Sequence, residues 1–173
     1  TLLAAGMVDE ARAEARRVIA ALASFASPVV GIEPSSLTTL RDEFLALLPG
    51  EESRALAARA LLLSELLERD KPALAFKPLE ATVHIHGHCH QKAFGAFPAA
   101  VALLKRIPGL TVKPITSSCC GMAGAFGYLH PDESRLIGED RLAPQVRASS
   151  APVVAAGISC RDQIHDLAGR HAE

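Results

Sequence analysis

The sequence lacks the features that mark several large classes of protein. It has no tryptophan and one tyrosine, and aromatic residues account for 4% of its 173 positions. No apolar run approaches the ~20 residues that a bilayer-spanning helix requires, and the first residues do not resemble a secretory signal. The 18 lysines and arginines are balanced by 19 aspartates and glutamates, so no basic stripe indicates a nucleic-acid partner. These absences predict a cytoplasmic protein, with association at the inner face of the membrane as the alternative.

Apolar residues are abundant enough for a folded core. They make up 49% of the chain and are mostly Ala, Leu, Val and Ile, a composition that favours helices packed on a sheet. The length allows one domain or two small lobes. Because the chain opens on Thr1 and a charged helical pattern follows almost at once, we interpret it as a piece of a longer protein.

Cysteine is sparse, with four residues in the whole chain. In a small secreted protein, four cysteines would suggest two disulfides, but a chain with this much core does not need them. Since no export signal is present, we expect reduced thiols. Reduced thiols favour metal binding or redox chemistry.

The hydrophobic pattern predicts strands that alternate with helices. Strands are predicted over residues 28–33, 82–86, 110–115 and 152–156, and one continuous helix over 51–70. This alternation favours an α/β fold in which βαβ units build a parallel sheet. Each of the last three strands precedes a segment that contains cysteine. Because the carboxyl ends of parallel strands meet at one edge of a sheet, we expect all four thiols at that edge.

The cysteines are Cys89, Cys119, Cys120 and Cys160. Thiolates suit zinc, copper(I) and iron–sulfur clusters, and four are enough for a closed zinc site or a cluster. The spacing has neither the paired Cys-x2-Cys of a zinc knuckle nor the close cysteines of a ferredoxin. We therefore weigh a metal or cluster site against buried structural cysteines and against disulfides, and we favour the first.

The vicinal pair stands in a glycine-rich segment that reads Cys-Cys-Gly-Met-Ala-Gly. Adjacent cysteines cannot easily bind one mononuclear ion because their side chains diverge, but they can bridge a polynuclear cluster or serve two metal atoms. Gly121 and Gly124 would let the backbone pass close to a bulky inorganic group and would offer N–H donors to it. We predict both as cofactor-binding residues. No residue is predicted to be catalytic.

Four of the seven histidines lie between residues 84 and 90. If 82–86 is a strand, His84 and His86 share one face, and we interpret His84 as a structural residue. His86, His88 and His90 are candidate metal ligands, because imidazole binds metals and exchanges protons near neutral pH. A role outside the site is equally open for these three.

Two segments of the chain are similar to each other. Residues 28–36 read PVVGIEPSS and residues 152–160 read PVVAAGISC. Both follow a predicted helix, and both lead through a small-residue turn into the next helix. We therefore predict two pseudo-repeated lobes, the first truncated, over residues 1–79 and 80–173.

Three motifs together resemble a known family. They are HGHCHQKA from His86, CCGMAGAFGY from Cys119 and GISCR from Gly157. The chain resembles the cysteine-rich CCG domain that occurs in heterodisulfide reductases, in the iron–sulfur subunits of glycolate oxidases and in anaerobic glycerol-3-phosphate dehydrogenases. The longest motif is most similar to the C-terminal region of fused FAD-linked D-lactate or D-2-hydroxyglutarate dehydrogenases.

The resemblance implies a parent protein that oxidises a D-2-hydroxy acid at a flavin and passes the electrons to iron–sulfur centres. It implies that the four cysteines bind an iron–sulfur cluster of the 4Fe–4S kind, or zinc in its place. FAD would then bind a missing part of the parent. The partners would be flavin and ferredoxin-like domains of the same chain or complex, and the isolated piece is not expected to turn over substrate.

Two positions depart from the pattern of that family. Ser36 stands where the first copy would have a cysteine, and Gln163 stands where the late motif often has a second one. The second site is left with four thiols rather than five. Two further hypotheses stay open: a zinc site of the hydrolase kind, which lacks an acidic residue beside the histidines, and a metal-free scaffolding domain.

Overall fold

The computed structural model describes residues 2–173, and their contacts divide the chain into two units. One unit ends at Leu63 and the other runs from Ser64 to Glu173. The division predicted after residue 79 concerns a repeat in the sequence and stays a prediction.

The first unit packs helices around a short parallel pair of strands. Its helices are α1 (Val8–Leu22), α2 (Pro34–Arg41), α3 (Glu43–Leu47) and α4 (Glu51–Arg59), and its strands are β1 (Val29–Gly31) and β2 (Ala60–Leu62). The predicted continuous helix over 51–70 is wrong, because β2 interrupts it by pairing with β1. Ala60 and Leu62 are buried in that pairing, so burial of apolar side chains outweighs their helix propensity. The core of the unit is formed by Ala15, Ile19, Phe44 and Leu56.

The second unit contains a parallel sheet with helices on both of its faces. Its helices are α5 (Leu63–Asp70, which begins at the boundary), α6 (Cys89–Ala93), α7 (Phe97–Lys105), α8 (Phe126–Leu129), α9 (Pro131–Arg147) and α10 (Ile158–Ala168). Its strands are β3 (Ala81–His86), β4 (Leu110–Pro114) and β5 (Val153–Ala155). Within the described residues the strand order is β4-β3-β5, with both pairs parallel. The predicted α/β class with parallel strands is therefore confirmed.

Alternation along the strands divides the core of this unit between the two faces of the sheet. Val83 and Ile85 of β3 pack with α7 on one face. Val153 and Ala155 of β5 belong to a separate cluster on the other face, which includes residues of α9 and α10. None of the helices within residues 2–173 combines the length and the apolar character needed to cross a membrane.

Arg106 helps to fasten the connector before β3 to the rest of the second unit. Arg106 donates hydrogen bonds to the carbonyl oxygens of Leu67 (3.4 Å) and Pro72 (2.8 Å). Its guanidinium also lies 5.3 Å from the ring centroid of Phe76. These contacts explain why α5 and the connector fold with the second unit.

Candidate metal centre

Strand direction brings the cysteine segments to one edge of the sheet. Cys89 follows β3, the pair Cys119 and Cys120 follows β4, and Cys160 follows β5. Because the three strands are parallel, their carboxyl ends lie at the same edge. All four cysteines are free thiols.

Cys89 is held by a histidine that caps its helix. His88 is the N-cap of α6, and its Nδ1 accepts a hydrogen bond from the backbone N–H of His90 (3.1 Å). The backbone N–H of His88 in turn donates to Oε1 of Gln91 (3.0 Å), which completes a capping box. The Cys89 sulfur lies 3.8 Å from Nδ1 of His88. His88 therefore orients the helix that presents Cys89.

The vicinal cysteines lie in a loop whose shape depends on Gly121. The residue has φ +99, a value that side chains rarely adopt, and a Cβ there would lie 2.3 Å from the carbonyl oxygen of Ser134. Its backbone N–H donates to the sulfur of Cys119 (3.3 Å). Glycine is thus required by the packing of the protein itself, and its N–H stabilises a thiolate.

Cys160 is the third residue of α10 and is almost completely buried. The turn before it packs tightly, because a Cβ at Gly157 would lie 2.3 Å from Cδ2 of His88 and 3.3 Å from the Cys160 sulfur. Thiolates are favoured near the first turn of a helix, where backbone N–H groups point outward. The helix start therefore suits a charged sulfur.

Interactions among the four thiols shift their pKa values. Interaction with Cys120, and then with Cys89, holds the pKa of Cys119 well below its usual range. The same contacts with Cys119 raise the pKa values of Cys89 and Cys120. Interaction with Cys120, aided by His86, lowers the pKa of Cys160 to about 5 despite burial. The pKa values of neighbouring thiols are thus shifted in opposite directions.

His86 reaches the thiols from the central strand. Its ring is 1% exposed, and Nδ1 lies 2.9 Å from the hydroxyl of Ser117. Nε2 is buried and makes no hydrogen bond of normal geometry, although the ring is close enough to Cys160 to lower the pKa of that thiol. A buried polar atom without a partner is costly, and the position of His86 near Cys160 makes it a candidate metal ligand or proton donor.

The structure shows less involvement in the site for the two other predicted residues, His90 and Gly124. His90 is half-buried, with its ring in an edge-to-face contact with His88 at 5.1 Å between centroids. Gly124 has φ +64, is exposed, and a Cβ there would meet nothing within 4 Å. Gly124 therefore shapes the turn, and packing does not require a glycine at this position.

The four thiols are neighbours, but they are not arranged as a complete set of metal ligands. Within residues 2–173, no three side chains among histidine, cysteine, aspartate and glutamate are arranged as the ligands of one ion. The donor set nevertheless fits a thiophilic metal or cluster, since soft sulfur ligands lie side by side with a buried imidazole nitrogen. Binding would replace the protons that the thiols share.

Two residues of the site were not predicted to have a role in it. Lys92 donates hydrogen bonds to the carbonyl oxygens of Ser117 and Ser118, the latter at 3.1 Å. Gln163 is buried and donates to the carbonyl oxygen of Ser134 (3.0 Å), so it ties α10 to α9 beside the glycine loop. The spacing of Lys92 from Cys89 places both residues on α6 but does not indicate the contact of Lys92 with the loop.

Comparison with known proteins relates the chain to dehydrogenases. It is 30% identical to a subunit of the anaerobic glycerol-3-phosphate dehydrogenase of Escherichia coli K12, over 94% of this chain and 43% of that protein. It is 30% identical to the D-2-hydroxyglutarate dehydrogenase of the same organism over 86% of this chain and 15% of that protein. The Pseudomonas putida D-2-hydroxyglutarate dehydrogenase is 28% identical over 87% of this chain and 15% of that protein.

The chain spans less than half the length of these relatives. No protein-family model matches it, and no solved structure does. The relatives are dehydrogenases or dehydrogenase subunits, so the chain is related to part of an oxidoreductase. That relationship is consistent with a cysteine-rich domain of the same type.

Replacing the two loop glycines separately tests which of them the site requires. We expect Gly121→Ala to lower the free energy of unfolding by about 2–4 kcal/mol, because the methyl group meets a backbone carbonyl at a strained φ. Gly124→Ala, the matched control, should cost about 1 kcal/mol from its left-handed φ alone. Urea denaturation of both variants measures the difference, and equal losses would contradict the assigned role of Gly121.

Alkylation of the metal-free protein tests the ionisation of the thiols. At about pH 6, we expect iodoacetamide to label Cys119 at least about tenfold faster than Cys89, because only the first is largely thiolate at that pH. Both side chains are half-buried, so access does not decide the comparison. Peptide mass spectrometry gives the two rates, and faster labelling of Cys89 would contradict the pattern of contacts.

Proposed function

We propose that this chain is a cysteine-rich domain of an FAD-linked 2-hydroxy-acid oxidoreductase, in which the four thiols bind an iron–sulfur cluster. The observation that carries the proposal is the convergence of the segments that contain Cys89, Cys119, Cys120 and Cys160 at the carboxyl edge of three parallel strands. A bound cluster would accept and release single electrons.

Burial of the thiols supports a bound cation over isolated structural cysteines. Cys120 and Cys160 lie within the apolar cluster that also contains Val146 and Ile164. A thiolate in such surroundings is unfavourable unless a positive charge compensates it. Of these two buried thiols, Cys160 nevertheless has a pKa lowered to about 5 by its interactions with Cys120 and His86, and a metal ion or cluster would supply the compensating charge.

His86 supports the same proposal from the central strand. Its Nδ1 contact with Ser117 fixes the ring orientation, and Nε2 is left buried without a hydrogen bond of normal geometry. Such an arrangement suits a nitrogen that coordinates a metal or donates to a coordinated sulfur. His88 serves as a helix cap, which makes a ligand role for it less suitable.

Two of the relatives reported above support the parent activity that we propose. D-2-hydroxyglutarate is a 2-hydroxy acid, and the named dehydrogenases act on it. FAD and the substrate would bind domains outside this chain. The chain itself would receive electrons from those domains or pass them on. The partners are then the flavin and ferredoxin-like domains of the same parent protein or complex, in the cytoplasm or at the inner face of the membrane.

We also propose that the first unit is a truncated copy of the second. The strand β1 and the helix α2 begin at Val29 and Pro34, and β5 and α10 begin at Val153 and Ile158. In both cases the helix begins five residues after the strand begins, so the two pairs of elements align in the same way as the two similar sequences. Ser36 then corresponds to Cys160, so the first copy lacks a thiol at that position.

Metal analysis of protein purified without oxygen tests the proposed function. We expect iron and acid-labile sulfide in the wild-type chain, and loss of both in the double variant Cys119→Ser, Cys120→Ser. Ser118→Ala is the matched control, because it changes an exposed neighbouring residue and should keep the metal. Circular dichroism shows whether each variant remains folded.

Other results would overturn the cluster and select an alternative. Stoichiometric zinc without sulfide, lost in the double variant, would favour a zinc-binding domain. Absence of any metal, with stability unchanged by a chelator, would favour a scaffolding domain. Retention of iron by the double variant would contradict the ligand assignment.

A further inference from the structure

Lys92 joins the two elements that carry three of the four thiols. It belongs to α6, the helix that begins at Cys89, and its ammonium group donates to the carbonyl oxygens of Ser117 and Ser118. Ser118 directly precedes the vicinal pair. One side chain therefore fastens the helix after β3 to the loop after β4.

We propose that Lys92 is the positioning residue of the thiol site and supplies the fixed positive charge that its bound metal or cluster requires. This inference rests on the proposed function. It assigns the lysine two separable effects, one on the geometry of the loop and one on the charge of the site.

The geometric effect follows from the hydrogen bonds. Both acceptors are backbone carbonyls immediately upstream of Cys119, so the ammonium fixes the direction in which the loop enters the site. Hydrogen bonds to a charged donor are stronger than those between neutral groups. Without Lys92, the loop would lose its anchor to the helix of Cys89.

The electrostatic effect follows from the charge of thiolate sites. A divalent ion held by four thiolates has a net negative charge, and the same holds for a cluster core of equal charge. The Lys92 ammonium is half-buried, so solvent screens it only in part. Burial lowers the pKa of Lys92, and attraction by the thiols, Cys160 first, opposes that shift. The ammonium group is held beside the loop that carries Cys119 and Cys120 by its hydrogen bonds to the carbonyl oxygens of Ser117 and Ser118.

Substitution of Lys92 separates these effects from a general role in folding. Lys92→Met removes the charge and the donors but keeps the aliphatic stem, and Lys92→Arg restores both charge and donors. Lys105→Met is the matched control, since Lys105 is exposed at the end of α7. Cobalt(II) is the probe, because thiolate-to-cobalt absorption reports the sulfur ligands directly and competition with a chelator gives the dissociation constant.

We expect Lys92→Met to weaken cobalt binding by about 10–100-fold, the usual effect of losing a group that orients metal ligands. Lys92→Arg should recover most of the affinity, and Lys105→Met should match the wild type. If the protein carries an iron–sulfur cluster, Lys92→Met should also shift its reduction potential to a more negative value, because removing a positive charge disfavours the added electron.

The outcomes distinguish failure of this inference from failure of the proposed function. If the wild-type chain gives no thiolate-to-cobalt absorption and contains neither iron nor acid-labile sulfide, the proposed function fails, and this inference fails with it. If the wild type binds cobalt and Lys92→Met binds it equally well, only the role of Lys92 is overturned. Should Lys92→Met not fold, Lys92→Gln carries the same test, and wild-type affinity in that variant would overturn the charge effect.

Discussion

Parallel pairing of β3 with both β4 and β5 is the constraint on which the candidate site depends. Each strand is short, and each delivers the next few residues to the same edge of the sheet. If any of the three ran in the opposite direction, its cysteines would lie at the other edge, about the length of a strand away. The central strand also carries His86, which explains why an imidazole and four thiols from three segments lie together.

Two of the four cysteines are more deeply buried than the other two, and this difference affects the chemistry of the site. Cys120 and Cys160 are buried in the apolar cluster beneath the loop, whereas Cys89 and Cys119 are half-buried. Charge on the deeper pair is costly unless a cation lies beside it, and the outer pair is accessible to an incoming ion. A metal or cluster would therefore relieve an unfavourable arrangement, so its binding should be coupled to the stability of the unit.

The sequence predicts the parts of this arrangement that follow from periodicity and strand order. Alternating apolar segments indicated β3, β4 and β5, and their order indicated the shared edge. The hydrophobic pattern gave a wrong prediction over 51–70. The segment Ala60–Leu62 has the composition of a helix and becomes a strand only because it pairs with β1. Lys92 was missed because its acceptors are backbone carbonyls 25 and 26 residues away, and no residue pattern encodes such a contact. Gly121 was predicted as a neighbour of the cofactor, which stays a prediction; the sequence did not show that a Cβ there would lie 2.3 Å from the carbonyl oxygen of Ser134.

X-ray absorption spectroscopy of the metal-loaded chain is the most direct test of the claim that the four thiols share one group. Measured at the zinc or iron edge, the first shell should contain sulfur at about 2.3 Å, close to four neighbours per metal atom, supplied by thiolates and, in a cluster, also by inorganic sulfide. His86 could replace one sulfur with a nitrogen at about 2.0–2.1 Å without changing the account. A first shell of nitrogen and oxygen alone would contradict it, because the metal would then be bound somewhere other than at the cysteines.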